Sequence, residues 1–269
     1  MTNIKRLKQE IKGEELVYAL DQYGEYGILH LNKNIPDVLS LYKELMKEFQ
    51  LKDILIKSPL RGSQGVGKLP NKISVIENDL KFIVYPKENE PGLPIDKSLF
   101  RLLVKDYSPN RNVLDLCSFT GHYGIYALTG GASSVNMVES EAKNIEWIKK
   151  NFEINKLDTS KIQTWHMDFN GFLDIAYETG TKYDLIILDL SVYNVSRLKN
   201  FDLEKDHSVL IREIQKKLLN YAGILLFVSD VQDFAMANYI RPGADKLTKK
   251  TVPEEFLPLR PHQSFAFYN

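Results

Sequence analysis

Cysteine is almost missing from this chain of 269 residues, with Cys117 the single example. One thiol excludes an internal disulfide framework and a cysteine-cluster zinc site. The five histidines are scattered, with no HExxH pair, so no metal is expected. Surplus charge is missing too: 35 basic residues balance 35 acidic ones. No global field therefore draws the chain to nucleic acid or membrane, and any RNA contact must come from a local patch. No apolar run reaches 18 residues, and Met1-Thr2-Asn3-Ile4-Lys5-Arg6 contains no apolar leader core. A cytoplasmic protein without membrane contact is the expectation. The three-glycine GxGxxG fingerprint is also absent.

What is present is an ordinary globular composition, 43% hydrophobic and 26% charged, long enough for two domains. A small α+β domain is expected over 1–90. Residues 4–10 read as a short charged helix, 16–20 and 26–31 as strands, and 37–50 as a helix carrying Val38, Leu41, Leu45 and Phe49. A strand at 53–57, a glycine-rich loop from Arg61 to Lys68, and a hairpin over 73–85 follow. Residues 86–94, with three prolines, read as a linker.

Over 91–269 the grammar changes to strand–helix alternation, which implies a parallel sheet. Strands are expected at 113–117, 134–139, 161–167, 183–189 and 224–229. Helices are expected at 98–106, 122–129, 141–155, 169–178 and 206–220. After a further short helix, strands at 246–252 and 263–268 lie too close together for a helical crossover, so the last should pair antiparallel. A mostly parallel sheet closed by a terminal antiparallel hairpin is the class I methyltransferase variant of the Rossmann-like α/β fold.

Ligands of open parallel sheets sit beyond the carboxyl ends of the strands. Four acids gather there. Asp115 lies in the first strand and opens a loop through Ser118, Phe119, Thr120 and Gly121, where glycine permits a tight turn. Glu139 ends the second strand beside Ser140, where a carboxylate can accept both ribose hydroxyls. Asp168, beside Phe169, ends the third, placed to accept from an adenine amine. Asp189 ends the fourth. A single such acid is more often a helix cap, but four in series point to a ligand. Without three glycines there is little room for pyrophosphate. An adenosyl group with a short zwitterionic tail fits better, and S-adenosylmethionine is the expected cofactor.

Asn112-Val113-Leu114-Asp115-Leu116-Cys117-Ser118-Phe119-Thr120-Gly121 and Gly130-Gly131-Ala132 resemble the bacterial 23S rRNA methyltransferases of the RlmK/RlmI type. Tyr183–Asp189 and Asn200–His207 look most like the guanine-N7 branch, the C-terminal half of the bifunctional RlmKL enzyme. Lys249-Lys250-Thr251-Val252-Pro253 and Arg260-Pro261-His262 are similar to its tail. The resemblance implies a methyltransferase acting on a guanine, N7 favoured, with 23S rRNA or a pre-ribosomal particle as partner. It also implies that Asp96 and Lys97 contact the cofactor, and that Asp189, Leu190 and Ser191 form the catalytic turn. Family members carry Asp-Pro-Pro where this chain has Asp189-Leu190-Ser191. They carry Thr-Gly-x-x-x-Asp-x-Arg where it has Pro91-Gly92-Leu93-Pro94-Ile95-Asp96-Lys97-Ser98.

Methylation of cytosine carbon 5 needs a cysteine after the fifth strand; Phe227-Val228-Ser229-Asp230 has none, which excludes it. Guanine N7 carries a lone pair and no proton, so positioning suffices. Tyr123, Tyr193 and Phe201 are candidates for stacking on a base. For phosphate contacts the candidates are Lys57, Arg61, Lys68 and Lys72, in a stretch that also holds Lys52 against Asp53. Two other readings stay open: a catalytically inactive relative serving as an RNA-binding or assembly module, and a small-molecule methyltransferase.

Overall fold

A computed structural model describes every residue except 1, 13, 14, 34, 59–61, 66–68, 197, 199, 200, 232 and 260, with 62–65 described as backbone only. The chain divides into two compact units, Met1–Ile95 and Asp96–Asn269.

The first unit holds a five-stranded sheet ordered β1-β2-β3-β4-β5: β1 (Ile4–Lys12), β2 (Glu15–Tyr23), β3 (Tyr26–Leu31), β4 (Asp53–Ser58) and β5 (Gly62–Gly65). Helix α1 (Val38–Phe49) packs Leu45 against Leu20, Leu29, Ile54 and Ile56. Residues 4–10 are thus an edge strand, not the expected helix. Ile4, Leu7 and Ile11 have helical spacing because the strand is bulged. The register with β2 slips between Arg6 and Lys8, which leaves Leu7 unpaired and turns it onto the core. The expected glycine-rich loop contains β5, paired antiparallel with β4. Strands β6 (Ile73–Glu77) and β7 (Leu80–Val84) form the expected hairpin.

The second unit is built on a seven-stranded sheet ordered β10-β9-β8-β11-β12-β14-β13. Its strands are β8 (Asn112–Leu116), β9 (Ser134–Glu139), β10 (Ile162–His166), β11 (Tyr183–Asp189), β12 (Leu219–Ser229), β13 (Ala244–Lys246) and β14 (Gln263–Tyr268). Strands β8 to β12 are parallel and β14 runs antiparallel to both of its neighbours. The helices are α2 (Ser98–Tyr107), α3 (His122–Thr129), α4 (Ala142–Ile154), α5 (Phe169–Thr179), α6 (Val192–Val195), α7 (Leu203–Lys217) and α8 (Thr248–Thr251). Strand β8 lies between β9 and β11, so successive connections depart in opposite directions there and leave a crevice at the carboxyl edge.

Three differences from expectation have local causes. Helix α7 starts at Leu203 rather than 206: the Asp202 carboxylate accepts from the amides of Glu204 and Lys205, while Asp206 accepts from the Asp202 amide. Residues 246–252 are not one strand. Thr248 and Thr251 look β-prone, but the Thr248 hydroxyl accepts from Ser264 N and Thr251 bonds Ser264 Oγ, which folds 248–251 into a helical turn. Among the described residues from 230 to 243, the expected helix is only a 3-10 turn, Arg241–Gly243. No helix among the described residues is long and apolar enough to cross a membrane.

Candidate active site

Strand β8 turns into α3 through a loop held far from ordinary backbone conformations. Cys117 (φ 62°), Phe119 (φ 52°) and Gly121 (φ 75°) alternate in the left-handed region, which costs roughly 1–2 kcal/mol at each non-glycine position. At Gly121 a Cβ would also stand 3.1 Å from Ile148. The loop is fastened from outside: Ser118 N donates to Val138 O at 2.9 Å, and Asn151 Nδ2 to Thr120 O at 3.0 Å. Glu139, 5% exposed, accepts from Phe119 N through Oε2 (2.9 Å) and from Glu141 N through Oε1 (2.8 Å).

Glu139 opens onto a cleft of about 370 Å³, counted out to solvent, lined also by Cys117, Ser140, Asp168, Phe169 and Asn194. Asp168 is exposed and caps α5, its Oδ1 accepting from Gly171 N at 2.8 Å. It is a helix cap and a cleft residue together. Phe119 meets Tyr193 at a ring-centroid distance of 4.6 Å, and Tyr193 Oη accepts from Asn144 Nδ2.

On the other side of the switch point the acids are already occupied. Lys97, 1% exposed, donates to both Asp189 oxygens at 3.1 and 3.0 Å and stands 3.3 Å from Asp230 Oδ2. Tyr123 Oη (2.9 Å) and Ser191 N (3.0 Å) also donate to Asp189. Burial works against the Lys97 charge. Asp189 first, then Asp230 and Asp96, more than offset it and raise its pKa well above the ordinary lysine value. Leu190 is fully buried; its N–H donates to Val228 O and its carbonyl accepts from Ser229 Oγ at 2.7 Å. Ser191 caps α6, accepting from Asn194 N at 3.4 Å. Thus Leu190 faces the core, and Asp189 and Ser191 are bonded within the protein.

Asp96 and Lys97 do not line the cleft. The Asp96 Oδ2 lies 3.0 Å from Nδ1 of buried His262, whose Nε2 is 3.3 Å from Thr251 Oγ1. Burial would raise the Asp96 carboxyl, but the His262 hydrogen bond and charge hold it below its usual value. Asp115 is different. It is fully buried and neither oxygen has a hydrogen-bond partner. Burial first, then the Asp189 charge, raise its carboxyl well above the ordinary range. Burial likewise pushes the Cys117 thiol up, with Glu139, Asp189 and Asp115 adding to it, so it supplies no ready thiolate. Among the described residues no group of acids, histidines and cysteine is arranged to hold a metal.

Of the other base-stacking candidates, Tyr123 is buried on Asp189 and Phe201 packs against the core. In the first unit, Lys57 donates to the carbonyls of Glu88 and Asn89, and Lys52 pairs with Glu25 at 2.6 Å. Lys72 is exposed; Arg61 and Lys68 lie outside the described residues. Sequence reading missed Asp230 and His262. The signal for Asp230 was available, since it follows the fifth strand as the other acids end theirs.

The fold has known counterparts. The structure superposes on a SAM-dependent methyltransferase of Agrobacterium tumefaciens with a TM-score of 0.72 at 16% identity, covering 100% of this chain and 91% of that one. Against SMU.776, described as a methyltransferase and solved with SAH, the TM-score is 0.82 at 19% identity, covering 100% and 76%. The fold is that of a class I methyltransferase. Residues 94–220 match the family model "Conserved hypothetical protein 95". Ribosomal RNA large subunit methyltransferase K of Neisseria meningitidis is 31% identical over 209 residues, 76% of this chain and 59% of that protein. The K/L protein of Shewanella pealeana is 30% identical over 264 residues, 90% of this chain and 36% of its own. By sequence the chain is a relative of these K-type rRNA methyltransferases, and it spans less than two thirds of their length. In the second unit the cleft carries Glu139 and Asp168 from the ends of β9 and β10, and the charge-paired cluster lies at the ends of β11 and β12.

Proposed function

We propose that the chain is an S-adenosylmethionine-dependent RNA methyltransferase acting on a guanine of 23S rRNA, with N7 the favoured atom and the cytoplasm its place of work. The observation that carries the reading is the cleft at the carboxyl edge, walled by Glu139, Ser140, Asp168 and Phe169, in a chain akin to rRNA methyltransferases. The residues fit the cofactor: Glu139 and Asp168 bring carboxylates to the cleft, the group that accepts from a ribose diol or an adenine amine, and Phe169 offers an apolar wall. When bound, S-adenosylmethionine supplies an electrophilic methyl group on a cationic sulfur.

The chain's own contribution is positioning and charge. The N7 choice is supported by how far the turn after β11 is engaged within the protein. The Leu190 carbonyl already accepts from Ser229 Oγ, and the Asp189 carbonyl accepts from Asn194 Nδ2 at 2.8 Å. Methylation of an exocyclic amine gains from such carbonyls as acceptors for the amine hydrogens, whereas N7 has no hydrogen to hold. Asp189 is paired with Lys97 and so is not a free base at that corner, and N7 requires none.

The same engagement favours a second reading, an inactive relative that binds RNA without turnover. The two separate in one experiment. Radiolabelled methyl transfer is measured to protein-free 23S rRNA and to pre-ribosomal particles from a deletion strain, with borohydride and aniline cleavage to reveal N7-methylguanosine. Glu139→Ala should abolish transfer by removing the ribose acceptor and should abolish the thermal shift given by S-adenosylhomocysteine. Label on another atom overturns N7 alone. No label on either RNA, with the shift intact in the unsubstituted protein, overturns the enzyme.

A further inference from the structure

The terminal hairpin carries a basic cluster that the site just described does not use. Between Arg241 and Lys250 stand Arg241, Lys246, Lys249 and Lys250 against one acid, Asp245, all five exposed. Several exposed lysines elsewhere are held: Lys52 by Glu25, Lys149 by Glu146, Lys205 by Asp202 and Lys217 by Glu213. Among the described residues, none of the four hairpin cations sits in an ion pair. Lys246 lies along β14, 5.8 Å from the Phe265 ring and 3.5 Å from Gln263 Oε1.

Topology brings this cluster to the same edge as the acids. Asp189 pairs with Val228, Val228 with Ser264, and Leu247 N donates to Ser264 O. Helix α8 therefore begins three strand positions from Asp189, about 14 Å at the usual spacing between strands. Because β13 runs antiparallel to β14, it heads towards the carboxyl edge, and Lys249 and Lys250 follow at that edge. The corner is also rigid. Thr251 bonds Ser264 Oγ at 2.6 Å and reaches His262, which holds Asp96, the neighbour of Lys97.

We infer that Lys246, Lys249 and Lys250, with Arg241 beside them, form the surface that receives the phosphate backbone of the substrate RNA next to the target nucleotide. This rests on the RNA methyltransferase reading. A span of about 14 Å is a few nucleotides at 3.4 Å per residue along a strand. The cations would thus clamp the chain immediately beside the base presented at the switch point. Protection of an exposed sheet edge explains a lysine on β13. It does not explain Lys249 and Lys250, which lie beyond the strand.

The test is Lys249→Glu with Lys250→Glu in the full chain, read as binding to protein-free 23S rRNA over a salt series. Affinity should fall about ten-fold or more and the log–log salt slope should lose roughly two units, one per phosphate contact. S-adenosylhomocysteine affinity and melting temperature should not move, and the double Arg variant should bind RNA as the unsubstituted chain does. Unchanged RNA affinity and slope would overturn the surface, as would an unsubstituted chain that binds no RNA. RNA binding that depends on both lysines but comes without methyl transfer leaves the surface standing and overturns only the enzyme.

Discussion

The two halves of the sheet's carboxyl edge treat their acids differently. On the β8–β10 side Glu139 accepts from the amides of Phe119 and Glu141, Asp168 accepts from that of Gly171, and both line an open cleft. On the β11–β12 side Asp189 and Asp230 share a buried lysine, with Tyr123 and Ser191 taking up further lone pairs. A carboxylate bonded to amides remains a carboxylate for a ligand. One neutralised by a buried cation has become part of the frame. The edge is half receptor and half scaffold, with Asp115, unpartnered, beneath the join.

The comparison breaks hardest at Lys97. Lys97→Met should destabilise the second unit by about 3–5 kcal/mol, because the buried Asp189 and the partly buried Asp230 lose their shared cation. Urea denaturation measures it. A loss below about 1 kcal/mol would mean that solvent already screens the cluster, and that the scaffold half is no scaffold.

Asp115 sharpens the comparison through pH. Its carboxyl titrates above its unfolded value in the folded chain. The stability it gives is therefore complete below the ordinary value of 3.8 and is lost as pH rises towards the folded value. Asp115→Asn should raise the melting temperature of the ligand-free protein at neutral pH, with the gain vanishing near pH 4. A gain independent of pH would show that Asp115 is not held neutral.

The smallest effect is expected at Asp168. Asp168→Ala removes the α5 cap and should cost about 1 kcal/mol, whereas Asp168→Asn should stay within a few tenths. Thermal unfolding decides. Equal costs for both would mean that charge, not capping, is what Asp168 supplies.

Much of this was legible in the chain. Strand–helix alternation after residue 99 announces the parallel sheet, and the acids at strand ends mark its ligand-binding edge. What periodicity could not show was set by tertiary hydrogen bonding. The bulge at Leu7 gives a strand helical spacing. Ser264 draws Thr248 and Thr251 out of a strand-like run. The partners of Lys97 and Asp96 lie 92 and 166 residues away in sequence, and no local pattern reports such distances.

The left-handed backbone at Cys117, Phe119 and Gly121 also bears on timing. Its distortion is settled when the chain folds, and Val138, Glu139 and Asn151 keep it so. A visiting molecule meets a mould already cast, and little of its binding energy goes to ordering the wall it touches. A ligand that reaches Cys117 in the cleft would meet that preformed wall, and one of the wrong outline would be turned away without movement of the loop.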